Sequence, residues 1–408
     1  MSDITPPLAH RMETLKPSAI IVVANAARDL KAAGKDVVSL SIGVPGFLPP
    51  AHVYEAAHKA VDADTGDYLP GRGSAELVKA FVASMAARGF TYTEDEVCAQ
   101  MGGKGALFNL FLALVNEGDE VVVPAPYWAS YPEMVRLAGG VPVSPLGSVE
   151  TNYKLTAAQL RAALTSKTRI VIFNNPSNPT GMLYTADEVA ELGAVLAARP
   201  DIWIISDDIY DQLVFRGGDE THHGRAPQLM DAHPELKARM IVCQSVSKTY
   251  GMPGWRVGLV AGPKPVIAAL LALTSQSITN LPAVVMAAAA AALSGPQDFL
   301  GAQKERLLHQ RNVTLEALDN MNLFCPVPEG AFYVFPQVKS YFGKTTPAGA
   351  VIGDDVSFCQ ALLNEALVAT VPGGAFGDAG AIRISYAGKE ADLKKGLIRI
   401  ADWLKTLK

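Results

Sequence analysis

Cysteine is scarce, charge is nearly balanced, and no tract is apolar for long enough to cross a bilayer; each shortage removes a class of protein. The four cysteines, Cys98, Cys243, Cys325 and Cys359, lie far apart in 408 residues, with no CxxC pair and no histidine at ligand spacing. A disulfide-stapled secreted scaffold and a zinc finger are therefore excluded, and the thiols read as reduced side chains of a cytoplasmic protein. Thirty-five basic against 40 acidic residues leave a net charge of −5, so no basic field exists to hold nucleic acid or an anionic membrane. The most apolar tract, 281–293, carries six consecutive alanines from Ala287 and stops at Ser294-Gly295-Pro296. It is too short for a membrane span and reads as a buried helix. Residues 1–10 are polar and lack the apolar core of a signal peptide, so export is not expected.

Nucleotide signatures are missing as well. Gly343-Lys344-Thr345 ends like a phosphate-binding P-loop, but Val338 stands where that loop needs its first glycine. Gly373-Gly374-Ala375-Phe376-Gly377 has the wrong spacing for a dinucleotide fingerprint. His222-His223 has no second ligand pair at helical or hairpin spacing, and no metal is assigned.

What is present is a composition of 49% apolar and 18% charged residues, with length for two or three domains and a large core. Short apolar runs at 120–123, 169–173, 202–206, 240–243 and 257–261 alternate with helical spacing such as 157–164, introduced by Thr156, and 187–198. That alternation predicts an α/β fold, a mostly parallel sheet between helices. After Ala292 long helical segments mix with separated strands, as in a smaller α+β unit. The expected division is 1–46, an N-terminal segment packing with the small domain; 47–292, a large cofactor-binding domain; and 293–408, a small C-terminal domain.

Open parallel sheets bind ligands at the carboxyl ends of their strands, and here those ends carry unusual polar sets. Asn174-Asn175-Pro176-Ser177-Asn178-Pro179-Thr180-Gly181, Ser206-Asp207-Asp208-Ile209-Tyr210 and Gln244-Ser245-Val246-Ser247-Lys248 each follow an apolar run. Taken singly these are a turn, a helix cap and a loop lysine. Together they supply an amine, an acid, an amide and a phenol, the groups needed to hold pyridoxal phosphate. Met101-Gly102-Gly103-Lys104-Gly105-Ala106, read as a glycine-rich loop before an apolar helix at 107–115, adds bare backbone amides at a positive helix end for the phosphate.

Pro124-Ala125-Pro126-Tyr127-Trp128, Asn178-Pro179-Thr180-Gly181, Asp207 with Tyr210, Ser245-Val246-Ser247-Lys248, Gly254-Trp255-Arg256-Val257-Gly258 and Pro328-Glu329-Gly330-Ala331-Phe332-Tyr333 occur in one order. In that order the chain resembles the fold-type I, pyridoxal-phosphate-dependent aminotransferases of class I, of the aspartate aminotransferase kind. The likeness runs from Leu15-Lys16-Pro17-Ser18 to Arg383-Ile384-Ser385-Tyr386. It implies that Lys248 is the Schiff-base lysine and proton carrier, that Asp207 pairs with the pyridine nitrogen, and that Tyr210 and Asn178 bond the ring oxygen. Trp128 is implied to stack on the ring, with Arg256, Ser245, Gly103 and the Lys104 backbone on the phosphate. Arg383 is implied to grip the substrate α-carboxylate, with Gly43, Trp128 and Asn178 also around the substrate. Tyr68 matches a tyrosine that reaches the phosphate of a neighbouring subunit, which implies a homodimer with shared active sites.

The implied activity is transfer of an amino group from an L-amino acid to a 2-oxo acid. Lys104 stands where some members meet a distal carboxylate, which favours aspartate or glutamate. The chain departs from the family where Gly43-Val44-Pro45-Gly46-Phe47 replaces Gly-Glu-Pro-Asp-Phe, and where Ile20 and Leu281 replace a common threonine and proline. These changes make the pocket less polar and leave aromatic or other neutral donors, or a carbon–sulfur lyase reaction, as alternatives. Gly46 is also expected to loosen the segment that folds over substrate.

Overall fold

A computed structural model describes residues 8–63, 66–215 and 225–408; His222 and His223 lie outside them. Seven strands form the central sheet: β1 (Val97–Met101), β2 (Glu120–Val122), β3 (Val141–Val143), β4 (Thr168–Phe173), β5 (Trp203–Asp207), β6 (Met240–Ser245) and β7 (Val257–Ala261). Their spatial order is β1-β7-β6-β5-β4-β2-β3. β2 to β6 pair in parallel, while β7 runs antiparallel to both β6 and β1.

Both faces of this sheet are covered, which is why its central strands are continuously apolar rather than alternating. Along β4, Ile170 and Ile172 join the core under the helices Gly102–Leu114 and Lys264–Ser275, whereas Val171 and Phe173 join the core under Ala186–Ala197 and Ala283–Ser294. The alanine-rich tract is thus a core helix. Thr156 and Thr185 each start a helix through a capping box, with Gln159 and Glu188 as their reciprocal partners.

The reversed direction of β7 follows from chain length. Only the eleven residues 246–256 separate β6 from β7, and a parallel crossover needs about a dozen or more. The chain instead makes one helical turn, Val246–Thr249, and a 3-10 turn, Pro253–Trp255, then reverses at Arg256 in the left-handed region with φ 57°. Consequently the end of β6 and the start of β7 lie on one rim, with Ser245 opposite Gly258 and Met101 opposite Val257.

A third core gathers Leu307, Leu318, Phe358, Leu362, Ile384, Leu397, Ile400 and Trp403 from the C-terminal third, and it takes in Val38 and Leu40 as well as Tyr210 and Leu213. Val38–Ser39 pairs in parallel with Val368–Ala369. A three-stranded sheet, Val371–Pro372, Ile382–Ser385 and Tyr333–Val334, carries Arg383 toward the rim of the large sheet. Among the described residues no single helix is long and apolar enough to cross a membrane.

Candidate active site

At the carboxyl rim the polar strand ends converge on a cavity of about 250 Å3. Gly43, Gly103, Lys104, Trp128, Asn178, Asp207, Tyr210, Lys248, Arg256 and Arg383 all line it. Asp207 is the last residue of β5, and Lys248 lies on the helical turn that follows β6. Arg256 immediately precedes β7, so the reversal of that strand brings a second cation to the same rim.

The helix Gly102–Leu114 begins directly after β1. The glycines expected to form a loop are therefore its first turn, because β1 ends at the rim and the chain turns at Gly102 with φ 72°. A Cβ on Gly102 would overlap the Arg256 guanidinium, and one on Gly258 would overlap the Gly102 carbonyl group. Backbone amides, the positive end of a helix and an arginine thus meet without intervening side chains, a setting for a dianionic phosphate. Lys104 sits at the mouth with its amine 5.0 Å from the centre of the Trp128 ring, and Trp128 is braced edge-on by Tyr131.

Asp207 is buried, and burial pushes its carboxyl up to about 6. The Tyr131 hydroxyl, donating to its Oδ2 at 2.6 Å, works against that rise. Lys248 donates to the Gly43 carbonyl at 2.5 Å. Burial lowers its amine to about 8, helped by Arg383 and Arg256 and opposed by Asp207. In the cofactor-free chain one carboxyl is thus raised and one amine lowered in the same cavity, a pairing of shifts that gathers at functional sites.

Tyr210 and Tyr333 share a 2.8 Å hydrogen bond. Arg383 is 1% exposed. It donates to Asn178 Oδ1 at 3.0 Å and to the Ser41 carbonyl at 2.6 Å, and it lies between the rings of Tyr333 and Phe376. Its Nε has no hydrogen-bond partner. A buried guanidinium on a cavity wall, with one donor unpartnered, suits a carboxylate.

Two expected residues stand apart. Ser245 does not line the cavity, because its hydroxyl donates to the Val257 carbonyl at 2.9 Å and caps the next turn by accepting from the Ser247 amide; Ser247 lines the wall instead. Tyr68 is 87% exposed and does not line the cavity of its own chain. Tyr131 and Ile21 also line it without having been singled out from sequence, and Asn174 and Ser18, quoted there only within longer motifs, line it too. Tyr131 carries no local signal, since its partner lies 76 residues away. Tyr333 is legible only as part of the Gly330-Ala331-Phe332-Tyr333 string.

The model of the family described as aminotransferase class I and II matches residues 35–400. The chain belongs to this family. It is 44% identical over 395 residues to the aspartate/prephenate aminotransferase of Cereibacter sphaeroides, covering 96% of this chain and 97% of that one. To the aspartate aminotransferase of Geobacillus stearothermophilus it is 40% identical over 398 residues, 96% and 98% of the two chains. The crystal structure of the aspartate aminotransferase from Rhizobium meliloti superposes with a TM-score of 0.93 at 38% identity, over 99% and 100% of the chains. That of the Thermus thermophilus aspartate aminotransferase with maleate gives 0.89 at 34%, over 98% and 100%. The protein is an aminotransferase of fold-type I, and class I aminotransferases of the aspartate aminotransferase type use pyridoxal phosphate.

Proposed function

We propose that this aminotransferase moves the amino group of aspartate- or glutamate-type amino acids to 2-oxo acids, with pyridoxal 5'-phosphate held at the rim of the large sheet. The observation that carries the reading is the buried Arg383, with its Nε unpartnered, on the same cavity wall as Lys248 and with Lys104 at the mouth. A buried fork for one carboxylate and a mouth cation for a second match a dicarboxylic substrate. The names of the two curated relatives accord with it.

The residues fit the cofactor. The helix end at Gly102 to Lys104 with Arg256 and Ser247 would hold its phosphate, Trp128 one ring face, Asp207 the ring nitrogen, and Tyr210 with Asn178 the ring oxygen. When bound, the cofactor supplies a carbonyl that accepts the amino group and a ring that delocalises negative charge. The chain's own part is to orient and to move protons. Arg383 fixes the α-carboxylate so that the Cα–H points at the Lys248 amine, which in its neutral form accepts that proton at Nζ and returns it elsewhere. The apolar wall of Ile20 and Ile21 favours a second reading in which neutral or aromatic donors are also taken.

Three further proposals concern the whole protein. The division into 1–46, 47–292 and 293–408 is supported by the C-terminal core, distinct from the two that cover the large sheet, and by the pairing of Val38–Ser39 with Val368–Ala369. A homodimer sharing its active sites is supported by the exposed Tyr68, and a cytoplasmic setting by four unpaired thiols. A panel of amino donors against 2-oxoglutarate, oxaloacetate and pyruvate tests the substrate reading. Aspartate and glutamate are expected to lead by kcat/KM, and a lead by neutral donors would overturn it. Lys248→Ala is expected to abolish transfer; unchanged turnover would refute the assignment of that lysine.

A further inference from the structure

Residues 43–47, where the chain departs from its family, are held over the cavity by contacts that a loose segment would lack. Gly46 has φ 75°, and a Cβ there would overlap the Ala387 carbonyl. The Arg306 guanidinium, on the helix Phe299–Asn320, donates through Nη2 to the Pro45 carbonyl at 2.6 Å and through Nη1 to the Ala387 carbonyl at 3.2 Å. Nη1 also donates to Gln310 Oε1 at 2.7 Å, and Nε to Gln303 Oε1 at 3.2 Å. The acceptors it engages are neutral oxygens. Its Cζ lies 5.9 Å from the Phe47 ring centre, and Phe47 in turn abuts Gly251, three residues past Lys248. Glycine at position 46 therefore does not loosen the segment. It admits the close approach that the arginine then fixes.

The two carbonyls that Arg306 bridges belong to chain segments with separate tasks at the site. Pro45 lies two residues from Gly43, whose carbonyl accepts from the Lys248 amine. Ala387 lies four residues past Arg383. We propose that Arg306 is a positioning residue for transamination, latching the 43–47 strap to the end of the Arg383 strand so that the carboxylate fork and the acceptor of the lysine amine keep one spacing. A planar fork with several donors suits this bridge, and a lysine's single point of charge does not. The proposal rests on Lys248 and Arg383 acting as described above. Its test is chosen to work even if the substrate reading fails.

The first readout is the titration midpoint of the Lys248 amine in the full-length, cofactor-free chain, measured by pH-dependent acetylation and mass spectrometry. Burial is the main reason this amine sits low, so loosening the strap in Arg306→Met, which admits water, should raise the midpoint by about half a unit. The second is the pyridoxal-phosphate-loaded enzyme, where KM for the amino donor should rise about tenfold with kcat changed less than about threefold. Gly46→Ala leaves Arg306 in place but forces the strap off Ala387, and it should move both readouts in the same direction. Arg306→Lys should fail to restore them. Unmoved midpoint and KM in either folded variant, or full restoration by lysine, would overturn the latch. Should Arg306→Met not fold, Gly46→Ala alone decides by the same criteria.

Discussion

Asp207 shows how function and stability pull apart at a single residue. Its carboxyl is raised in the folded chain to about 6 from 3.8, so folding favours the protonated form. Stability from this group is present at low pH and is lost as pH rises through about 6. Above that, ionised and buried, it costs the cofactor-free chain roughly 3 kcal/mol. Asp207→Asn is expected to stabilise the cofactor-free protein by up to about that amount at pH 8 and by roughly half as much at pH 5, measured by chemical denaturation. The same substitution should lower kcat on the order of a hundredfold. Lys104 offers a sharper test of specificity, because its amine lies at the mouth rather than among the groups deeper in the cavity. Lys104→Ala should raise KM for aspartate and glutamate far more than for phenylalanine, and equal changes would remove the distal role. Asp207 and Lys248 were legible as candidates because their segments follow apolar runs, while the roles expected of them came from the family resemblance. Tyr131 was not, because a hydrogen bond closed across the fold leaves no mark on its neighbours.

Among the elements, the junction of β1, β7 and the helix Gly102–Leu114 carries the tightest packing near the site. Gly258 faces the Gly102 carbonyl so closely that Gly258→Ala must displace the helix start. It should cost about 1–3 kcal/mol in unfolding free energy and weaken pyridoxal phosphate binding, read by fluorescence titration. Gly103→Ala is the contrast, since its added carbon meets only Ile209 and Ser245 side-chain atoms at 3.7 Å, and its melting temperature should stay within a degree or two of wild type. The central strands were readable as apolar runs, and the helices from apolar residues three and four apart, with Thr156 marking the start of one. β1 was not: Gln100 interrupts it, and only its hydrogen bonds to Asn109 and Thr274 make that amide tolerable in the core. β3 was missed for another reason, as three residues with a proline at Pro142 form the edge of the sheet.

For the whole molecule, the expected α/β architecture is borne out, with one strand reversed. That reversal was implicit in the brevity of 246–256 but invisible to periodicity, which has no direction. The shared site of the proposed dimer is testable with hybrids. Lys248→Ala and Tyr68→Ala chains, each impaired alone, should regain activity when mixed and reassociated, because one interface then pairs an intact lysine with an intact tyrosine from the other chain. No recovery in mixtures shown to exchange subunits would exclude a tyrosine acting across the interface.

The unpartnered Nε of Arg383 has a practical corollary. A buried guanidinium with a spare donor does not discriminate between a metabolite and a laboratory reagent, so succinate, citrate or acetate in an assay medium would occupy the same fork. Rates recorded in such buffers would then understate the enzyme.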